Sequence, residues 1–160
     1  MTVEVIEADE ALALGTVGCA LIMVWTGEAT TERMIRSTEC VVALAARMRP
    51  GAVGVVMVIE HGAPLPSRED LERTLAMVGE IAPTLVGTVF VLEGGGAWAA
   101  EVLEEASDAH ARLPELARKY CFGTAEASAW LSARLQGEPE APSREQLRDA
   151  IVALRAAVRR

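Results

Sequence analysis

Two serines of this 160-residue chain stand in nearly the same phrase, "APLPSREDL" over residues 63–71 and "APSREQL" over residues 141–147. Each precedes a helical pattern, so each can do one of two jobs. A phosphate on Ser67 would be favoured by the helix dipole and by Arg68, but opposed by Glu69 and Asp70. Alternatively, Ser67 is an N-cap with Asp70 at the third helical position, as Ser143 would be with Gln146, each hydroxyl accepting from a free backbone N–H for about 1 kcal/mol. The repetition favours the cap and leaves the phosphoacceptor as the sharper alternative for Ser67. Gly94, Gly96 and Ala99 fit G-x-G-x-x-A between a strand and a helix, where a phosphate can sit. Glu93 would crowd it, and no acidic residue ends a strand about twenty residues on, so a tight turn is the simpler reading. His61 lies close to Glu60, and parallel strands would bring Glu93 to the same end. Such a pair can move protons, but no nucleophile or orienting partner stands at recognisable spacing, and His61 beside Gly62 reads as a loop histidine. His110 stands in a polar stretch far from other ligand types. No catalytic residue, metal site or cofactor is assigned.

Composition narrows the classes further. The net charge of −8 and the lack of an internal Lys/Arg cluster argue against nucleic acid. Only the end, "LRAAVRR", is basic. Arginine outnumbers lysine fourteen to one and 28 residues are alanine, a bias of lysine-poor bacterial proteins. The acidic N-terminus is no signal peptide. The longest apolar run, residues 17–25, is shorter than the roughly 20 residues of a membrane span. Cys19, Cys40 and Cys121, odd in number and in apolar settings, fit buried thiols of a reducing cytoplasm. Aromatics make up only 4%, so the core must be aliphatic. Trp25 and Trp98 are expected at strand exits or helix starts, where they pack against the sheet edge or, if at one end, rim an apolar pocket.

The elements that would position these residues alternate between strand and helix. Strands are expected over 2–8, 18–27, 52–60, 87–93 and 120–122. Helices are expected over 30–48, with Thr30 or Thr31 as cap, over 67–82 with Leu71, Leu75 and Val78 in one stripe, and through Trp98, Val102 and Leu103. A further helix capped by Thr124 carries Trp130 and Leu131 inward, while 107–119 gives no clear pattern. The order implies an α/β domain with a mixed, mostly parallel sheet, because the first two strands are joined too tightly for a helical crossover. Residues 136–142, "QGEPEAP", read as a linker between a domain over 1–135 and a C-terminal amphipathic helix over 143–160. In that helix Leu147, Ile151, Leu154 and Val158 step by 4, 3 and 4, a heptad seam that must bury itself on its own domain, on a second copy or on another protein.

"ALIMVWTGEATTE" and "FGTAEASAWL" resemble the opening strand–Trp–x–Gly–loop–helix and the closing aromatic–x–Thr–x–Glu–x–Ala–x–x–Trp–Leu of bacterial STAS or SEC14-like domains. The likeness covers roughly residues 1–135. It implies the STAS fold and a non-enzymatic module related to the anti-sigma-factor antagonists. In those, a phosphorylated serine follows the third strand, and Ser67 falls at the equivalent junction. The Asp and Gly that flank that serine in the family are missing from "EHGAPLPSRED".

The expectation is therefore a cytoplasmic regulatory or scaffolding module. It would meet a protein partner or a second copy through His61, Leu65 and Arg68 of the 61–75 region, together with Leu147, Ile151, Leu154 and Val158. The alternative is a carrier or sensor of a lipid or other apolar ligand. A carrier needs an interior apolar cavity, whereas an interaction module needs a solid core and an exposed apolar patch.

Overall fold

The computed structural model describes residues 1–158, so the last two arginines of the basic end lie outside the described residues. Six strands form one mixed sheet in chain order: β1 (Glu4–Ala8), β2 (Leu12–Val17), β3 (Ala20–Trp25), β4 (Val53–Ile59), β5 (Leu85–Leu92) and β6 (Arg118–Cys121). β1, β2 and β3 form an antiparallel meander, and β3 to β6 run parallel. The α/β class and the mixed, mostly parallel sheet agree with the sequence reading. β2 does not: residues 9–17 read as a connection, yet Leu12–Val17 is a fully buried strand. Its sequence, "LALGTV", is apolar on both faces with an interior glycine, and it lacks the alternation that marks a half-buried strand.

Three helices connect the parallel neighbours: α1 (Thr31–Arg47), α2 (Arg68–Ile81) and α3 (Gly96–His110). Neighbouring parallel strands joined by crossovers of one hand keep all their helices on one face. The opposite face is left for α4 (Thr124–Arg134) and α5 (Arg144–Ala157), which pack on β4–β5 and on β1–β3 respectively. The period of two along each strand then divides the core. Ala13, Ile22, Val24, Val56, Val58, Val89 and Val91 point to α4 and α5. Leu14, Leu21, Met23, Trp25, Val53 and Val55 point to α1.

The C-terminal seam is used within the chain. Leu147, Ile151 and Leu154 are fully buried against the sheet and α4, and Val158 packs with them. This corrects the expectation that these four residues meet a partner. The close fit depends on Gly15 of β2, where a Cβ would stand 2.9 Å from the Glu4 carbonyl oxygen and 3.0 Å from Leu154 Cδ2. Residues 136–142 are fastened as well: Cys19 N–H donates to the Glu140 carbonyl (3.0 Å), Ser132 Oγ to the Pro142 carbonyl (3.2 Å), and Glu138 pairs with Arg49. Arg155 on α5 adds a long-range clamp, with Nε 2.6 Å from Glu60 and Nη2 2.5 Å from Glu93 at the ends of β4 and β5.

Candidate functional site

The two faces of the sheet are packed differently. On the α4–α5 side one cluster of mostly aliphatic side chains joins the sheet to both helices. On the other side α2 is held mainly by α1 and α3 and stands off the strands. A cavity of about 180 Å³ lies between them. Its floor is Met23, Trp25, Val55, Met57 and Phe90 from the strands, and its roof is Leu71, Leu75 and Val78 from α2. The stripe expected along α2 thus exists, but it faces a cavity more than a packed sheet. The loop Ala63–Pro66 closes one end, and His110 of α3 with Thr88 of β5 stands in the wall.

Caps and bridges fix this roof. Ser67 Oγ accepts from Asp70 N–H at 3.2 Å, and its O–H donates to Asp70 Oδ2 at 2.9 Å, so it caps α2. Thr31 Oγ1 donates to the other Asp70 oxygen and ties the first turns of α1 and α2 together. The Thr31 bond, with the Ser67 bond behind it, holds the Asp70 carboxyl below the usual carboxylate range. Ser143 makes the full capping box with Gln146. Thr30 caps α1, as the sequence suggests, whereas Thr124 lies inside α4 and the cap position is Gly123, with no side-chain bond.

The remaining singled-out residues fall around the loop. Trp25 lies in the cavity wall. Trp98 stands outside it: its Nε1–H donates to the Ala63 carbonyl (3.3 Å), and His61 packs on its ring at a centroid distance of 5.1 Å. Trp98 thus fastens the closing segment from outside, while Trp25 lies in the cavity wall. His61 and Arg68 are exposed, and Leu65 is exposed while also reaching the cavity. Glu60 and Glu93 do not serve His61, since both accept from Arg155. Gly94, Gly95 and Gly96 all have positive φ, so the run is a left-handed turn into α3 that a Cβ would strain. Burial pushes the Cys19, Cys40 and Cys121 thiols up, which keeps them protonated at neutral pH. Among the described residues no group of His, Cys, Asp and Glu is arranged to hold a metal, and no helix is long and apolar enough to cross a membrane.

Sequence reasoning missed the most distinctive side chain, His110. It is 9% exposed, packs on Phe90 at a centroid distance of 4.6 Å, and places Nδ1 2.5 Å from the Tyr120 hydroxyl. Burial, with Arg118 adding to it, pushes the imidazole down to about 4, so it is neutral at pH 7. The available signal was the spacing Val102, Ala106, Ala109, His110, which is one helix face. Tyr120 could not be joined to it, because β6 pairs Tyr120 beside Phe90 only through the sheet register.

No family model, curated protein or solved structure matches the chain.

Proposed function

We propose that the protein binds a small apolar molecule between α2 and the sheet, as a carrier or a sensor, and does no chemistry on it. The observation that carries this reading is the cavity of about 180 Å³ walled by aliphatic, Met and aromatic side chains. An engineered apolar cavity of about 150 Å³ stays dry and takes up benzene, so this one suits a single ring or a short alkyl chain. Sites for drug-sized ligands measure roughly 300–1,000 Å³. A two-tailed lipid would not fit wholly inside it, so a smaller apolar ligand is the better match within the SEC14-like alternative. The scaffolding reading has less support, because the seam meant for a partner is covered by the chain's own sheet. A sensor could still report occupancy through the 61–75 region, since Leu65 belongs both to the cavity wall and to the surface.

Thermal unfolding with and without toluene tests the proposal. Anything that binds only the native state raises the melting temperature in proportion to RT ln(1 + [L]/Kd). Toluene should stabilise the wild type. It should do little for Thr74→Leu or Ala106→Leu, which fill the cavity and should leave the ligand-free protein as stable or up to about 1 kcal/mol more so. An equal response of wild type and both filled variants would show that toluene acts elsewhere, and no response at all would remove the carrier reading.

A further inference from the structure

The cavity wall contains polar groups that its apolar character does not explain. Ser37 and Thr38 turn their hydroxyls back to the Arg33 and Met34 carbonyls of their own helix, at 2.8 and 3.0 Å. Glu105 is exposed at the margin. His110 and Thr88 are different. Both are more than nine-tenths buried, at 9% and 5% exposure. Among the described residues neither His110 Nε2 nor Thr88 Oγ1 has a hydrogen-bond partner, yet neither atom is sealed in protein, a condition met by Ser128 Oγ. With Nδ1 taken up by Tyr120 and both residues in the wall, Nε2 and the Thr88 hydroxyl are the polar atoms left for the cavity.

The imidazole is also preset. Tyr120 stands behind it at Nδ1 (2.5 Å), and the Ala106 carbonyl lies farther from the phenol, at 3.4 Å. Nδ1 is by far the closer acceptor, so the phenol's single proton goes to it. A neutral imidazole that accepts at Nδ1 carries its proton on Nε2. The cavity therefore presents an N–H donor from His110, and Thr88, two residues before Phe90 on the same face of β5, adds a hydroxyl.

Resting on the apolar-ligand reading, we infer that the natural ligand carries a neutral hydrogen-bond-accepting oxygen, such as a ketone, aldehyde or ester carbonyl, at the His110 end of an apolar body. A group that leaves this buried donor unpaired forfeits a bond, whereas a carbonyl satisfies it. With Glu105 at the rim and Arg118 near the imidazole, neither charge alone selects a carboxylate, so the neutral donor sets the preference.

Acetophenone and ethylbenzene are near-isosteres that differ in this oxygen, and their dissociation constants can be compared by calorimetric titration. The wild type should bind acetophenone about threefold to tenfold more tightly than ethylbenzene. His110→Phe should bind the two alike while retaining ethylbenzene. Should that variant not fold, ¹⁵N spectra of the wild-type imidazole give the same answer: Nε2 protonated, and its resonance moved by acetophenone but not by ethylbenzene. Equal affinities in the wild type, or an unprotonated Nε2, would overturn the inference and leave the cavity reading intact. Failure of both compounds to bind would remove both.

Discussion

Burial and the neighbouring Arg118 hold His110 at about 4, against 6.5 for an ordinary histidine. Between these values an unfolded chain binds a proton that the native state refuses. The contribution to stability is therefore whole above pH 6.5, falls as pH drops through the interval, and changes no further below about pH 4. A gap of this size corresponds to roughly 3 kcal/mol at most. Urea unfolding of wild type and His110→Phe between pH 7 and pH 4 should show a steeper acid loss in the wild type. Parallel curves would contradict the buried, neutral imidazole. At this scale the sequence was legible only where the partner is local. Ser67 and Ser143 could be read as caps because the residue each one bonds lies three positions away. His110 could not, because its meaning comes from Tyr120 across a strand pairing and from a cavity that no linear pattern records.

At the scale of elements, helices α1 and α2 and the three buried parallel strands were legible from apolar spacing and turn residues. β2 was not, because its apolar run is short and interrupted by Gly15 and Thr16, where β3, β4 and β5 run on. The seam of α5 was equally plain, but its destination was not: a stripe of Leu and Ile reads the same whether it meets its own sheet or a second chain. In the folded chain it covers the chain's own sheet. Leu154 is fully buried and sits against Gly15, so Leu154→Ala should destabilise the chain by about 2–5 kcal/mol. Val152, on the same helix but 64% exposed, should tolerate alanine within about 0.5 kcal/mol. Chemical denaturation of both variants checks this. A small, equal effect would mean that α5 is not docked.

For the whole molecule, the division of labour between the two faces of the sheet matters most. α4 and α5 pack on one face, and Arg155 clamps α5 to the ends of β4 and β5. That frees the other face to be packed loosely beneath α2. Volume of this kind is invisible in composition, since alanine and methionine suit a solid core and a hollow one equally. It arises because α2 is joined to the fold through its neighbours α1 and α3 and through the Thr31–Asp70 bridge more than through the sheet. If this space takes up an apolar molecule, amide ¹H–¹⁵N spectra recorded during a toluene titration will show it. Saturable shifts at Met57, Leu75 and Phe90, with α4 and α5 unmoved, are the result expected. An unchanged spectrum, or shifts confined to the exposed Phe122 and Val152, would contradict it.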